Sequence, residues 1–236
     1  MVMAGLHVEQ FRCGDNLAYL LYGKKEAVAI DGVAWEEMLR FLDGHGLSLT
    51  YVTNTHGHFD HVAGNEPLLR HSRAQFLDHA AFPDGAVFNI EGHPVKVYRT
   101  PGHTEDSVCF HAGGVLITGD ALFNGTVGNC FSGDLHAFFL SIKRLMALPG
   151  DTLIYAGHDY VRDSVALAKQ LEPGNPDIER FRQAYDPGHV YSTLAEEWKI
   201  NPYLRFNAPA IIALLKEHDL PCATEEERWL SLMSIE

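Results

Sequence analysis

The chain has 236 residues, 46% of them apolar, enough to bury the core of one large soluble domain or of one domain with a small annex. Eighteen Lys and Arg against thirty-one Asp and Glu give a formal charge of −13, which opposes a phosphate backbone and argues against nucleic acid as a partner. Residues 1–11 carry no basic segment followed by an apolar run, and nowhere are eighteen apolar residues consecutive, so a cytoplasmic protein without a membrane span is expected.

In chain order, residues 7–11, 17–22 and 27–30 read as short strands, the last two joined by a Gly23-Lys24-Lys25 turn, and Asp31-Gly32 closes the third. Trp35, Met38, Leu39 and Leu42 then fall at helical spacing, with Gly44 placed to end that helix. A strand over 49–52 leads into a histidine-rich segment, followed by a helix over 65–71 and a strand over 74–77. Residues 86–97 read as two strands across a Glu91-Gly92 turn. Strands over 108–111 and 115–118 flank a Gly113-Gly114 hairpin. Leu135, Phe138, Phe139, Ile142, Leu145 and Met146 share one helical face, started by Asp134, and a strand over 153–156 ends at Gly157-His158.

From residue 161 onward no strand pattern remains. Asn175-Pro176 is a cap with an N1 proline, Thr193-Leu194-Ala195-Glu196 is a capping box, Asn207 precedes a helix running to about His218, and a last helix covers 225–233. The expected organisation is a layered α/β domain over residues 1–160 and a small all-helical domain over 161–236.

The segment Thr55-His56-Gly57-His58-Phe59-Asp60-His61 gathers three imidazoles and a carboxylate in seven residues, a composition suited to holding metal and not to packing a core. His56 and His58 project to one side of an extended backbone, whereas Asp60 and His61 follow on the next turn and face differently, which suggests two adjacent sites. Ile30, Val52, Ile117 and Tyr155 each lie near a strand end that is followed within a few residues by a charged or imidazole side chain, so these groups would collect at one edge of the sheets. His103, Asp120 and His158 join the motif in this way. We assign His56, His58 and His103 to one ion, Asp60, His61 and His158 to a second, and Asp120 as the bridge. Zn²⁺ suits this donor set, and Fe or Mn nearly as well. Two such ions about 3.5–4 Å apart hold a water and lower its pKa to near 7, with no need of a serine or cysteine nucleophile.

This order and spacing, preceded by Asp31 at a strand end, resembles the metallo-β-lactamase superfamily. The resemblance implies a four-layer αββα sandwich, with Asp31 orienting the metal-bound region. Glu172-Pro173-Gly174-Asn175, the segment from Ser192 to Glu197 and Asn201-Pro202-Tyr203-Leu204-Arg205 are similar to the C-terminal helical domain of the glyoxalase II, or hydroxyacylglutathione hydrolase, family. By that resemblance the chain is a binuclear hydrolase cleaving a small-molecule thioester with a metal-bridging hydroxide, and Asp60 and Asp120 carry the catalytic work. Enzymes of that family hold glutathione with a Lys and a Tyr after the bridging aspartate and with an Arg and a Lys after the Asn-Pro-aromatic segment. Here those positions read Asn129, Phe131, Asn207 and Pro209. Tyr160 keeps a matching substrate contact, and Arg205 stands near the others.

With the glutathione clamp largely replaced, a less anionic or more apolar substrate resting on Phe131 and Tyr160 is expected. A lactonase or other ester hydrolase on the same scaffold is the alternative, as is an iron-dependent persulfide or redox enzyme, although His58 argues against the di-iron oxidoreductases, which carry Glu there. A non-catalytic binding module is a third reading, weakened because no ligand has been lost. Cys13, Cys109, Cys130 and Cys222 form no C-x-x-C and are expected as free, mostly buried thiols. The remaining nine histidines show no ligand spacing and are read as surface or packing residues, His136, on the helix after the Asp120 loop, being the first candidate for an exception.

Overall fold

Strand β3 shows why this chain makes layers. In the computed structural model, which describes residues 2–3 and 5–235, Leu17, Tyr19 and Leu21 face one side of β3 (Asn16–Tyr22) and Ala18 and Leu20 the other, and all five are buried. A strand apolar on both faces must be covered on both. It lies in a six-stranded sheet ordered β1 (Val2–Met3), β2 (Leu6–Cys13), β3, β4 (Glu26–Ile30), β5 (Ser48–Thr53) and β6 (Gln75–Phe76). The second sheet is ordered β12 (Ser192–Thr193), β11 (Leu153–Ala156), β10 (Val115–Gly119), β9 (Val108–Ala112), β8 (His93–Arg99) and β7 (Val87–Ile90). Val95, Val97, Phe110, Ile117 and Tyr155 of this sheet meet Leu17, Tyr19, Leu21 and Val28 of the first in the central core.

Helices close the outer faces. Met38 and Leu42 of α1 (Trp35–His45) and Leu68 of α3 (Asn65–Arg70) cover Ala18, Leu20, Ala29 and Val52. On the other side α4 (Leu135–Met146), α8 (Pro209–Glu217) and α9 (Glu225–Met233) place Phe138, Ile142, Leu145, Ile211 and Trp229 over Cys109, Leu116 and Ile154. The product is the four-layer αββα sandwich expected from the resemblance. Among the described residues no helix is long and apolar enough to cross a membrane.

β4 pairs with β5 and β10 with β11 in parallel, whereas most other neighbours are antiparallel. Parallel partners end at the same edge of their sheet, so Asp31 and the residues after β5 emerge together, as do Asp120 and His158. This is the physical content of the strand-end pattern in the sequence.

Two local expectations need correction and a third holds. α1 continues through Gly44 and ends at Gly46, whose φ of 64° supplies the left-handed cap that was assigned to Gly44. Asn207 precedes α8 (Pro209–Glu217) as expected, with Ala208 between them, and its side-chain amide reaches Glu225. The C-terminal region is also not purely helical, because β12 pairs with β11 ahead of α7 (Leu194–Ile200).

The C-terminal region, which also contains α5 (Val161–Leu171) and α6 (Pro176–Ala184), is stitched to the sandwich by buried polar groups. The Glu197 carboxylate, fully buried on α7, accepts from the Gly125 amide (3.0 Å), the Ser192 hydroxyl (2.7 Å) and the Asn201 side chain (2.8 Å). Burial nonetheless pushes its pKa up to about 7, against the pull of those donors. Relative to its ordinary value of 4.5, the folded chain therefore holds an extra proton, and this group's contribution to stability falls as pH rises from about 4.5 to 7. Glu197→Ala should cost on the order of 2–4 kcal/mol by stranding three donors. Urea melts across that pH window should show the wild-type slope flattened in the variant.

Candidate metal centre

The seven predicted ligands meet at the strand edge. Thr53 ends β5, and the chain then turns through His56 and His58 into α2 (Phe59–Val62), with His58 at its N-cap position. His56 Nε2 lies 2.9 Å from His58 Nδ1, which lies 3.0 Å from His103 Nε2. Asp60 Oδ2 lies 3.3 Å from His158 Nε2, and His61 Nε2 lies 3.2 Å from the same nitrogen. The donors of each group, His56, His58, His103 and Asp120 on one side and Asp60, His61 and His158 on the other, lie within 4.8 Å of one another. Asp120 touches both. One oxygen is 3.4 Å from His61 Nε2, and the other is 3.5 Å from His103 and 3.4 Å from His158.

These separations fit a divalent metal, and the number of converging lone pairs exceeds what shared protons can answer. A tetrahedral ion with bonds of about 2.0–2.1 Å holds its donors roughly 3.3 Å apart. Three imidazole nitrogens converging on one point cannot all be satisfied by shared protons, since a proton placed between two leaves the third lone pair unanswered. Asp120 Oδ1 is buried without a hydrogen-bond partner, as a metal-facing oxygen would be. Electrostatics point the same way. Against burial, which lowers it, the nearby carboxylate charges of Asp31 and Asp120 raise the His61 imidazole to about 10. Against burial of its own, Asp120 is held below the usual carboxylate range by His158 and His61. Burial and the neighbouring His61 charge push His56 down to about 3. The cluster calls for concentrated positive charge that its own imidazoles cannot all carry.

The far nitrogens of three imidazoles are held. Asp31, 1% exposed, accepts from the Thr55 amide and hydroxyl at 2.7 Å each, and its carboxylate lies 3.0 Å from His61 Nδ1. Thr55 Oγ1 in turn lies 3.1 Å from His56 Nδ1. His103 Nδ1 donates to the Asn129 carbonyl at 2.9 Å, so the backbone at Asn129 orients a ligand. His158 Nδ1 has no hydrogen-bond partner, and the nearest carboxylate oxygen, on Asp15, is 3.6 Å away.

The other predicted residues divide. Phe131 packs edge-on against His58 and His103, with ring centres 5.6 and 5.2 Å apart, and Tyr160 stacks on His158 at 4.9 Å. Arg205 is placed elsewhere. Its guanidinium grips the buried Glu172 in two hydrogen bonds (2.6 and 2.9 Å) and lines a cleft of about 680 Å³ with residues 170–177 and α8, none of them in the cluster. Asn207 is occupied by Glu225 and Arg228. His136 pairs on the surface with Glu226 at 2.6 Å, and Cys130 is a half-buried thiol packed beside the α4 core. Of the expected substrate contacts, the structure thus brings Phe131 and Tyr160 to the cluster and engages Arg205 and Asn207 in other contacts.

Sequence reasoning missed Asn16. At the start of β3 its side-chain amide donates to Asp60 Oδ2 (3.0 Å) and to the Asp60 carbonyl (3.3 Å), and lies 3.4 Å from His158 Nε2. It also missed His79, buried in a 3-10 turn (His79–Ala81), whose Nε2 lies 2.8 Å from Asp106. That aspartate sits against Gly57 between two ligands, where a Cβ would come within 3.0 Å of its carboxylate.

Comparison with known proteins gives the same two regions. Residues 12–77 and 75–158 match the metallo-beta-lactamase superfamily, and residues 159–231 match the hydroxyacylglutathione hydrolase C-terminus. The chain is 35% identical over 240 residues to a hydroxyacylglutathione hydrolase of Maricaulis maris, covering 92% of this chain and 94% of that one. It is 34% identical to another from Chromohalobacter salexigens, covering 86% and 88%. Among solved structures, ETHE1 from Myxococcus xanthus superposes with a TM-score of 0.71 at 23% identity, covering 97% of this chain and 90% of that one. A metallo-beta-lactamase from Staphylococcus aureus superposes at 0.66 and 20%, covering 97% and 73%.

If Asn16 fixes Asp60 and His158, Asn16→Ala should weaken binding at the Asp60, His61 and His158 group by about 10–100-fold. Titration with a competing chelator should then release one ion well before the other, while the metal-free variant melts within about 1 °C of the parent, the range of a substitution away from the core.

Proposed function

The chain belongs to the metallo-β-lactamase superfamily and, within it, to the hydroxyacylglutathione hydrolase family, and from that membership we propose that it hydrolyses an acyl thioester at a centre of two divalent metal ions. The observation that carries the reading is Asp120, a single carboxylate in reach of both donor groups. Seven donors exceed what one ion of four to six coordination uses. His56, His58, His103 and Asp120 would hold one ion, and Asp60, His61, His158 and Asp120 the other. Zinc is the metal we favour for this imidazole and carboxylate set. Bound there, the two ions would activate a water and polarise the thioester carbonyl.

The chain's residues do the rest. Asp31 fixes the ring of His61 so that its Nε2 faces the site. Asn16 orients Asp60, whose side chain is 47% exposed at the mouth and would take the proton that the attacking water loses. The new C–O bond forms as the C–S bond breaks, the thiolate sulfur takes up the proton, and a carboxylic acid and a thiol leave, with water the only co-reactant. No residue of the chain is acylated, and Cys130 packs against the α4 core. In this reading residues 1–160 form the catalytic domain. Residues 161–236 form a helical domain that steadies the segment after Asp120 through Glu197 and Gly125. The four free cysteines accord with a reducing cytoplasm.

Elemental analysis of metal-replete protein should give two divalent ions per chain, and a single ion would refute the binuclear centre. Asp120→Ala removes the one carboxylate shared by both groups and should lower kcat on a thioester by about three powers of ten, equivalent to several kcal/mol of charge stabilisation. Near-normal turnover with both ions bound would show that Asp120 does not join them.

A further inference from the structure

Gly57, between the ligands His56 and His58, is a glycine that its own backbone does not require. Its φ lies outside the left-handed region that favours glycine, so the obstacle to a side chain is space. A Cβ there would stand 3.0 Å from Asp106 Oδ2 and 4.0 Å from His79 Nε2. A free carboxylate would swing aside, but this one is held at both oxygens. Oδ2 accepts from His79 Nε2 at 2.8 Å, and Oδ1 accepts from the Thr104 hydroxyl at 2.5 Å. The His79 side chain is 8% exposed, and its Nδ1 is buried without a hydrogen-bond partner. A proton on Nδ1 would be stranded, so the ring carries it on Nε2 and donates to Asp106.

This pair joins three segments that are distant in sequence. His79 opens the 3-10 turn that follows β6, Asp106 lies just beyond the ligand His103, and Gly57 links two further ligands. The three imidazoles of one donor group therefore come from two loops that share Asp106 as a wall. Arg99, at the end of β8, frames that wall by donating to the Ala80 and Glu105 carbonyls at 3.1 Å each. The Val108 amide donates to the Thr55 carbonyl at 2.8 Å and fixes the other end of both loops. Neither His79 nor Asp106 belongs to the converging donors. The second donor group has a different brace, Asn16 on Asp60.

We propose that His79 and Asp106 are positioning residues: they clamp the His56-Gly57-His58 turn against the His103 loop and so set the spacing of the three imidazoles that receive one of the two ions. The proposal rests on the thioesterase reading for the reaction served, and on the donor geometry alone for the metal. Bonds from imidazole to metal are short and directional, so a loop free to drift presents its nitrogen off line and holds the ion less tightly. Removing groups that support ligands in this way costs about 10–100-fold in metal affinity or activity.

The test is competition between the zinc-loaded protein and a chelator. Asp106→Ala and His79→Ala should weaken the more loosely held ion by about 10–100-fold, and isotope-labelled histidine NMR should show His56, His58 and His103 freed first, whereas Asn16→Ala frees His61 and His158 first. Asp106→Asn keeps an acceptor for His79, and His79→Gln keeps a donor where Nε2 stands, so both should recover most of the affinity. Cobalt-substituted Asp106→Ala should show an altered ligand-field spectrum. Gly57→Ala should weaken the same ion in the parent and add little once Asp106→Ala has removed the wall. With its side chain 33% exposed, Asp106 can be shortened without opening a large cavity. Parental affinity in both alanine variants, equal loss of both ions, no recovery in Asp106→Asn and His79→Gln, or a Gly57→Ala cost that is the same in both backgrounds would each overturn the proposal. Thioester turnover of the parent is measured separately: metal uptake without turnover refutes the thioesterase reading, and the affinities still decide the clamp.

Discussion

Asp31 is the fixed point on which the metal centre depends. It sits at the end of β4 in the left-handed region, φ 54°, where a side chain other than glycine costs roughly 1–3 kcal/mol. Hydrogen bonds to a charged group contribute about 1.5–3 kcal/mol each, and Asp31 accepts two from Thr55 besides meeting His61, so the balance favours the strained turn. The strain has a purpose. It turns the carboxylate into the space between β4 and β5, where it fixes the start of the histidine segment and the ring of His61 together. Because β4 and β5 are parallel, their ends are neighbours, and no antiparallel pairing of these two strands would bring Asp31 beside Thr55.

The second sheet meets this fixed point through close backbone approach. Gly119 has φ 51°, and a Cβ there would fall 2.2 Å from the Thr55 hydroxyl that Asp31 holds. A Cβ on Gly157 would fall 2.1 Å from Asp120 Oδ1. The glycines before Asp120 and His158 are therefore clearances, without which the ends of β10 and β11 could not bring their donors up to the first sheet. Asn16 supplies the return contact, reaching from β3 to Asp60 and His158 at once.

What was legible in the sequence follows from range. Ligand chemistry, strand ends and capping boxes are local, and the metal cluster, the positions of most strands along the chain and the Thr193 cap could be read from them. Gly44 and Gly46 are two residues apart and chemically identical, and only the packing of α1 decides which takes the left-handed cap. Arg205 and Asn207 were named as substrate contacts for standing near the right segment, and the contacts that the structure gives them were not legible. Their partners, Glu172 and Glu225, lie 33 and 18 residues away, and nothing in a linear pattern announces such pairs. Asn16 was invisible for the same reason, at 44 residues from Asp60.

A cluster of this kind burdens the scaffold as well as serving it. Converging lone pairs and two carboxylates beside one another repel in a site from which water is largely excluded, so the sheets must hold together what electrostatics would separate. A divalent ion reverses that sign. It binds the folded chain and not the scattered donors of the unfolded one, and at a hundredfold excess over its dissociation constant such a ligand adds about 2.7 kcal/mol to native stability. The rigid elements behind the cluster, the parallel strand pairs, the strained Asp31 and the Glu197 anchor of the C-terminal region, keep the donors converged until the ion arrives.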